Sequence, residues 1–393
     1  AKSIQIPCIM KILYYCQHVL GMGHFFRSLE ICRGLHDHQV VMVSGGDPVN
    51  MPMPAHVQSV ALPPVMMDPD FKQVYAPNPQ MGLETIQSIR RERLLEIYQQ
   101  ENPDILMVEL YPFGRKAFRF ELDPLLAHIQ SGRTHRCRVI CSLRDILVEK
   151  TDVQAYENRV VHALNQWFDA VLIHADPRIV QLDETFFRLS DIIPPLIYTG
   201  FVTPRPKPGD RNRIRSYLGL TEAERLVVVS AGGGKVGKSF LTAVRKSFSE
   251  DNPGMDKTRM QIFTGPFLDE SDFTDLICDI SPRVTISRFT PDFPAWLAAA
   301  DLSISMAGYN TCMNILAAGV KALVWPFDQN REQGLRARKL ERLGYFAILP
   351  DLNPDRLSGF IEKELNSSKK PCLPPVMLDG AAVTADWIGQ LKR

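Results

Sequence analysis

The sequence predicts an α/β protein made of two doubly wound domains, each with a mainly parallel sheet. Short β-rich runs alternate with amphipathic stretches over the whole chain, which is the pattern of successive βαβ units. A proline-rich stretch near residues 194–210 interrupts this alternation, which then starts again. A chain of 393 residues is long enough for two or three domains of ordinary size.

In the first domain, KILYYC (11–16) is the first strand candidate and residues 24–35 read as a helix. The later strand candidates, each followed by a helix-like segment, are QVVMVSG, DILMVEL (104–110), CRVICSL (137–143) and DAVLIHA (169–175). Residues 48–82 are rich in proline and methionine, so we expect a long excursion or an irregular loop there.

In the second domain the strand candidates are RLVVVSA, RMQIFTG, RVTISRF, DLSISMA, KALVWPF and YFAILPD. Helical stretches separate them, and AAVTADWIGQLKR at the end of the chain reads as a last helix. The predicted boundaries are a first domain at 1–197, a proline-rich hinge at 198–215, a second domain at 216–370 and a C-terminal helical segment at 371–393.

The composition excludes several classes of function. The net charge is +1, so bulk charge gives no sign of a nucleic-acid partner. The eight cysteines are scattered singly, without a CxxC pair or a Cys/His spacing suited to zinc, and we predict reduced thiols and no metal site. No apolar run reaches the roughly 18 residues that span a bilayer. We expect a cytoplasmic protein that can still touch a membrane from one face.

A glycine-rich string is the strongest local motif. GGGKVGKS, from Gly232 to Ser239, matches the ATP-binding pattern G-x-x-x-x-G-K-S/T. It follows the apolar run LVVVS and precedes a helix-like stretch, an arrangement that binds phosphate through backbone N–H groups and a helix N-terminus. No later strand ends in the carboxylate that an ATPase needs. A second glycine turn, GMGH, stands at the equivalent place in the first domain, which suggests a ligand cleft between the domains.

Three blocks resemble glycosyltransferase family 28. They are GMGHFFRSLEICRGL (21–35), SAGGGKVG (230–237) and, most specifically, the stretch 303–343 that begins SISMAGYNTCMNILAAGVKALVWPFDQNREQ. The resemblance implies a GT-B fold, in which two Rossmann-like domains face an interdomain cleft and the last helix packs back on the N-terminal domain. It also implies a nucleotide-diphosphate sugar as substrate, with a UDP-sugar favoured, and neither a cofactor nor a metal.

The resemblance places donor binding in the second domain. Glycines at 233, 234 and 237 let backbone amides approach the diphosphate, and a turn at 308–311 leads into a helix whose N-terminus also favours phosphate. Asn314 stands where the family usually has a glutamate that binds the ribose. The implied donor-binding residues are Gly233, Gly234, Lys235, Gly237, Arg288, Phe289, Gly308, Tyr309, Asn310, Thr311, Asn314, Asp328, Gln329 and Gln333. We interpret Arg331, Arg336, Arg338 and Lys339 as a solvated helix face.

The first domain is expected to bind the acceptor. His24 follows a glycine turn at a helix N-terminus, where the positive helix end keeps an imidazole neutral and able to take a proton as general base. Glu109 and Asp145 close two strands and are the preferred partners for assisting His24. Gly23, Arg27 and Arg144 are candidate acceptor-binding residues. Arg115, Lys116 and Arg119, interleaved with Phe113, Phe118 and Phe120, form either an ordinary helix face or a surface for an anionic lipid or phosphorylated acceptor.

Three functions remain open from sequence. The first is a glycosyltransferase of the hexosyltransferase type, acting on a nucleotide sugar and a small-molecule or lipid-linked acceptor. The second is a UDP-sugar hydrolase on the same fold, since Gly21, Gly23, His24 and Arg27 fit the turn G-x-G-H-x-x-R of such hydrolases. The third is a P-loop ATPase or kinase. We favour the transferase, because the long 48–82 segment suits a true acceptor better than water.

Overall fold

The computed structural model of the chain describes residues 9–391, apart from 20–21, 47, 50, 68–72, 78–80, 133–134, 149, 249–254, 328–330 and 368–374. The chain divides into two compact units. Unit 1 comprises Ala1–Val202 and Val376–Arg393, and unit 2 comprises Thr203–Pro375. In both units strands alternate with helices, as the alternation in the sequence predicts.

Unit 1 contains a seven-stranded parallel sheet in the order β3-β2-β1-β6-β7-β8-β9. Its strands are β1 (Lys11–Cys16), β2 (Gln39–Ser44), β3 (Val57–Ala61), β6 (Ile105–Glu109), β7 (Arg138–Arg144), β8 (Ala170–His174) and β9 (Leu196–Tyr198). A small antiparallel pair, β4 (Met66–Met67) and β5 (Val74–Tyr75), lies outside this sheet. Every residue of β6 is buried, because helices cover both faces of a parallel sheet.

The helices of unit 1 are α1 (Gly23–Gly34), α2 (Leu83–Glu101), α3 (Arg119–Gln130), α4 (Val153–Trp167) and α12 (Gly380–Gly389). Three single 3₁₀ turns are Lys116–Phe118, Leu182–Glu184 and Leu189–Asp191. The last helix, α12, packs against α1, and Ile388 joins the core around β1. A Cβ at Gly34 would lie 2.9 Å from the carbonyl oxygen of Ala381, so glycine is what lets the two helices approach this closely.

Unit 2 contains a six-stranded parallel sheet in the order β12-β11-β10-β13-β14-β15. Its strands are β10 (Arg225–Ser230), β11 (Thr258–Phe263), β12 (Val284–Ser287), β13 (Leu302–Met306), β14 (Ala322–Trp325) and β15 (Ala347–Ile348). Its helices are α5 (Asp210–Tyr217), α6 (Lys238–Ser247), α7 (Glu270–Ile277), α8 (Phe293–Ala299), α9 (Tyr309–Ala318), α10 (Arg331–Arg342) and α11 (Pro354–Asn366). The strand order reverses beside β10, so a crevice opens at the carboxyl ends of β10 and β13.

The structure differs from the sequence-based boundaries in two places. The segment 48–82 is not wholly irregular, because Val57–Ala61 pairs in parallel with β2 at the sheet edge. The predicted hinge at 198–215 includes the end of β9 and much of α5, and the units divide between Val202 and Thr203. Within the predicted hinge the prolines lie at positions 204, 206 and 208, and Gly209 (φ 86°) then precedes α5.

Candidate functional site

His24 and Glu109 meet at the carboxyl edge of the sheet in unit 1. His24 lies in the first turn of α1, just after β1, and Glu109 is the last residue of the neighbouring strand β6. The Nδ1 atom of His24 is 2.6 Å from Oε1 of Glu109. The Glu109 side chain is fully buried, whereas 22% of the His24 side chain is exposed. The pair is therefore anchored inside the protein and open on the imidazole side.

Arg27 completes a three-residue contact. It lies one helical turn after His24, so both side chains share a face of α1. Its Nη2 atom is 2.5 Å from Oε1 of Glu109 and 3.1 Å from Nδ1 of His24. Because Nδ1 faces a carboxylate oxygen, we assign the ring proton to Nδ1. That tautomer leaves Nε2 with a lone pair, which is what a general base requires.

The electrostatics of this cluster favour a neutral imidazole beside an ionised carboxylate. Burial lowers the pKa of His24 to about 3; the Glu109 carboxylate opposes this shift, and Arg115 and Arg27 add to it. Because part of the ring stays exposed, water offsets some of this burial, and the imidazole is neutral at pH 7 in either case. Burial alone would raise the pKa of Glu109, but the hydrogen bond from His24 and the two guanidinium groups hold it well below its ordinary value.

The other predicted residues of unit 1 lie along the same edge. Gly23 is the first residue of α1, and Arg144 is the last residue of β7. The Nε atom of Arg144 donates to the carbonyl oxygen of Ile146 at 3.2 Å. Asp145 follows directly and is fully buried. Its carboxylate therefore does not lie on the surface, and its role in binding or in assisting His24 stays a prediction.

The basic and aromatic segment that follows Glu109 faces partly inward, and a lipid-facing role for its exposed residues Lys116 and Arg119 stays a prediction. Phe113 and Phe118 are buried, and Arg115 is only 7% exposed and points inward, with Nη2 3.5 Å from Oε2 of Glu109. Arg119 pairs with Asp123 at 2.8 Å on α3. Phe113 and Phe118 thus lie in the core, Phe120 is partly exposed, and Arg115 belongs to the His24 cluster.

A buried arginine that the sequence analysis missed organises the loops beside this cluster. Arg90 on α2 is fully buried and forms an ion pair with Glu121 at 2.6 Å. The same guanidinium donates to Oε1 of Gln17 and to the carbonyl oxygens of Gly45 and Pro63, at 2.7–2.8 Å. These acceptors lie just after β1, β2 and β3, so the Arg90 side chain connects the first residues of three loops by hydrogen bonds. In the sequence, Arg90 is indistinguishable from the exposed arginines of α2.

In unit 2, the glycine-rich turn after β10 packs backbone against backbone. Gly232 (φ 66°) and Gly234 (φ 89°) adopt the left-handed conformation that favours glycine. A Cβ at Gly234 would lie 2.4 Å from the carbonyl oxygen of Thr264, and one at Gly265 would lie 2.4 Å from the carbonyl carbon of Gly233. Gly265 (φ 89°) is therefore a partner of this turn that the sequence analysis missed.

The three glycines of the turn have different roles. The N–H of Gly232 donates to Oγ of Ser230 at 3.1 Å, and the N–H of Gly234 donates to the carbonyl oxygen of Ala231 at 3.4 Å. Gly233 is exposed, and a Cβ there would meet only Phe267, at 3.8 Å. The approach of a ligand to the backbone at Gly233, Gly234 and Gly237 stays a prediction; of the three, Gly233 has the most open surroundings, while Gly234 shapes the turn.

Lys238, the lysine of the ATP-binding pattern, points away from the glycine-rich turn. Lys238 opens α6, and its Nζ atom donates to Asp272 on α7 and lies 3.5 Å from Asp275. A P-loop lysine must instead reach the terminal phosphates. Lys235 is exposed within the turn, and Gly237 directly precedes α6, where a Cβ would lie 2.5 Å from the Cβ of Ala231.

A second turn lies on the neighbouring strand. Gly308 follows β13 and precedes α9, which begins with Tyr309, Asn310 and Thr311. A Cβ at Gly232 would lie 3.9 Å from Oγ1 of Thr311, so the first turns of α6 and α9 flank one patch of unit 2. Two helix N-termini at one patch suit an anionic ligand.

The remaining predicted donor residues surround this patch through specific contacts. Asn314 on α9 accepts a hydrogen bond from Thr203 through Oδ1 at 2.8 Å. Arg288 donates to the carbonyl oxygen of Leu268 at 2.7 Å, and its guanidinium lies 4.2 Å from the ring centre of Phe273. Its side chain thus supports the loop after β11.

Two further predicted donor residues are Phe289 and Gln333. The Phe289 side chain is 40% exposed. Oε1 of Gln333 accepts a hydrogen bond from the N–H of Phe327 at 3.1 Å. Asp328 and Gln329 lie outside the described residues. The interpretation of Arg336 as part of a solvated face is wrong: it is fully buried, with Nη1 3.4 Å from the carbonyl oxygen of Ala307 and its guanidinium 5.5 Å from the Tyr309 ring centre. Arg331 and Arg338 are exposed.

In the described part of the chain, no cluster of three or more His, Cys, Asp or Glu side chains is arranged to hold a metal ion. Among the same residues, no helix combines the length and the apolar character needed to cross a bilayer.

Comparison with known proteins gives a family match within unit 2. Residues 227–374 match the glycosyltransferase family 28 C-terminal domain. This part of the chain is similar to glycosyltransferase family 28. The match begins within β10 and includes the glycine-rich turn, the turn at Gly308 and α9. It confirms the resemblance that the blocks at 230–237 and 303–343 predict.

Curated relatives match the chain over part of its length. A UDP-N-acetylglucosamine–N-acetylmuramyl-(pentapeptide) pyrophosphoryl-undecaprenol N-acetylglucosamine transferase of Caldicellulosiruptor saccharolyticus is 27% identical over 155 residues, 38% of this chain and 41% of that protein. An uncharacterized glycosyltransferase of Methanosarcina mazei is 29% identical over 109 residues, 28% of each chain. The chain thus spans less than half the length of these relatives.

Solved structures match nearly the whole chain and show its fold. CalG4, the calicheamicin glycosyltransferase, has a TM-score of 0.55 at 17% identity, covering 97% of this chain and 93% of CalG4. MurG of Acinetobacter baumannii has a TM-score of 0.52 at 16% identity, covering 96% and 95%. These matches, with the two parallel sheets, confirm the predicted GT-B fold class of two Rossmann-like domains.

Proposed function

We propose that the protein is a glycosyltransferase that moves a sugar from a nucleotide-diphosphate sugar to a hydroxyl group of an acceptor. The observation that carries this proposal is the family 28 match at 227–374, which falls on a patch where two glycine turns open two helices of unit 2. A UDP-sugar is the favoured donor, since the C. saccharolyticus relative is named for UDP-N-acetylglucosamine.

The leaving diphosphate would be stabilised by backbone and helix ends. The N-termini of α6 and α9 supply positive dipole ends, and Gly233 leaves room for a phosphate to come close to the main chain. Stabilisation of this kind needs no metal ion, so we propose metal-independent transfer. Gly308 serves the same purpose, because a Cβ there would meet nothing within 4 Å.

His24 would act as the general base on the acceptor hydroxyl. Its Nδ1–H donates to Glu109, so Nε2 takes the hydroxyl proton as the oxygen attacks the sugar, and the carboxylate stabilises the imidazolium that forms. A general base of this kind contributes roughly 10²–10⁴-fold to the rate. Arg27 and Arg144 remain candidates for contacts with a small-molecule or lipid-linked acceptor, and the protein would work in the cytoplasm or against a membrane face.

Two experiments test the proposal. In a thermal-shift panel, UDP or another nucleoside diphosphate should stabilise the protein without magnesium; dTDP belongs in the panel because the neighbouring structure SpnG is complexed with thymidine diphosphate. Stabilisation by Mg–ATP alone would favour a P-loop enzyme and refute the transferase. Release of free sugar without any acceptor would favour the hydrolase, whose attacking water His24 would serve equally well.

The second experiment is His24→Ala, which should lower turnover by about 10²-fold or more and leave nucleoside diphosphate binding unchanged. His36→Ala is the matched control, since that side chain is 71% exposed on the surface. Turnover that survives in His24→Ala would refute the assignment of the base.

A further inference from the structure

The segment after β6 turns sharply and brings Arg115 back to the strand end that it leaves. Leu110 (φ 66°) and Arg115 (φ 58°) both adopt the left-handed conformation, which is rare for residues other than glycine and is found where a site requires it. Between them, the N–H of Gly114 donates to the carbonyl oxygen of Leu110 at 2.8 Å. The strained turn delivers the Arg115 side chain to Glu109.

The contact between Arg115 and Glu109 is one of charge rather than of hydrogen bonding. Nη2 of Arg115 lies 3.5 Å from Oε2 of Glu109, and the two side chains are 7% and 0% exposed. Within the described part of the chain, Nε and Nη2 of Arg115 and Oε2 of Glu109 have no hydrogen-bond partner. A buried ion pair without hydrogen bonds acts through its field, which is strong where water is excluded.

The two oxygens of Glu109 thus serve different partners. Oε1 contacts His24 and Arg27, at 2.6 and 2.5 Å, while Oε2 faces Arg115. The charged groups that face the imidazole are Glu109 from β6, Arg27 from α1 and Arg115 from the turn after β6. Arg27 contacts both the ring nitrogen of His24 and Oε1 of Glu109, whereas Arg115 approaches the other carboxylate oxygen, Oε2.

We propose that Arg115 is a positioning residue for His24: its charge holds Glu109 ionised, so that the carboxylate keeps the proton on Nδ1 and Nε2 stays open. The inference rests on the proposed function, because an open Nε2 matters for catalysis only if His24 is the base. Arg115 also lowers the pKa of His24, and it does so more strongly than Arg27. The two effects act on different properties of the ring: the ionised carboxylate keeps the proton on Nδ1, and the direct field of Arg115 favours the neutral imidazole over the imidazolium.

The test is an NMR titration of the His24 imidazole in the full-length protein, with the signal assigned by its loss in His24→Ala. In the wild-type protein the ring should stay neutral down to about pH 4, since burial lowers its pKa to about 3. In Arg115→Met the midpoint should rise by about one to two pH units, the size expected for removing a unit charge roughly 6–12 Å away at an effective dielectric constant of about 20. Arg115→Gln is measured alongside, in case the methionine variant does not fold.

Two controls separate charge from structure. Arg115→Lys keeps the charge and should restore the wild-type titration, whereas Arg119→Met, at a 47% exposed position on α3, should leave it unchanged. The inference is overturned if the midpoint of the His24 titration is unchanged in both Arg115→Met and Arg115→Gln. It is also overturned if Arg115→Lys shifts that midpoint as far as Arg115→Met does. The readout does not depend on turnover, so a failure of the base assignment appears separately, as activity retained in His24→Ala.

Discussion

Replacing Gly233 by valine tests whether the glycine turn of unit 2 binds a ligand or only shapes the loop. Gly233 does not adopt a positive φ, and a Cβ at this position would meet only Phe267, at the ordinary contact distance of 3.8 Å. The free protein should therefore tolerate Gly233→Val with a change in unfolding free energy within about 0.5 kcal/mol, as for other surface substitutions. The valine methyl groups would occupy the open side of the turn, where a diphosphate must approach the main chain.

The expected result is a loss of affinity without a loss of stability. Isothermal titration with UDP in magnesium-free buffer should show Kd rising at least about tenfold, which corresponds to about 1.4 kcal/mol. Gly359→Val is the matched control, because a Cβ at Gly359 in α11 would likewise meet no close contact, with nothing within 4 Å, and Gly359 lies outside the turn. An unchanged Kd in Gly233→Val, with an unchanged melting temperature, would refute the assignment of this turn to the diphosphate.

Two further predictions concern charge. Lys238→Ala should change stability little, because the Lys238 side chain that pairs with Asp272 is 51% exposed and water screens the pair. UDP affinity should stay as in the wild type, and a large loss of nucleotide binding would show that this turn is a P-loop. Acidification from pH 7 to 5 should lower the unfolding free energy by about 2 kcal/mol for each of His24 and His174, whose pKa values burial lowers to about 3. Stability falls with acidification because the two histidines bind protons below about pH 6.5 in the unfolded chain but stay neutral in the folded protein. Chemical denaturation at pH 7, 6 and 5 measures the unfolding free energy. If its pH dependence is the same in His174→Gln as in the wild type, the contribution assigned to His174 is contradicted.

The fold was accessible from the sequence because its signals are local. Apolar runs such as those at 105–109 and 302–306 are strands that are buried throughout, and their alternation with helices indicates a parallel sheet. The strand at 57–61 was missed because its burial is one-sided: only Val57 is fully buried and three of its residues are exposed. An edge strand of this kind carries no continuous apolar signal.

The candidate site was accessible only in part, for a related reason. The positions of His24, Glu109 and the glycine turn follow from where strands end, and a single sequence shows strand ends. A single sequence does not show which side chains extend from one loop or helix to contact residues of another. Arg115 reaches Glu109 through a turn with two left-handed non-glycine residues, and Gly265 reaches Gly233 from a separate loop. Neither contact leaves a periodic or spacing signal.

The glycine string in unit 2 shows why a motif must be read with its geometry. Every residue of the ATP-binding pattern is present from Gly232 to Ser239, yet the cation of Lys238 is held by carboxylates on α7. The turn can still bind an anion through its backbone N–H groups and the positive end of the helix dipole, and these groups recognise a phosphate of any nucleotide. Selection of the nucleotide must then come from residues around the turn, of which Asn314 is engaged with Thr203 through Oδ1. Oδ1 of Asn314 accepts this hydrogen bond and can accept one more, whereas the amide NH₂ is a donor, so we expect the NH₂ to bind an acceptor atom such as a hydroxyl oxygen.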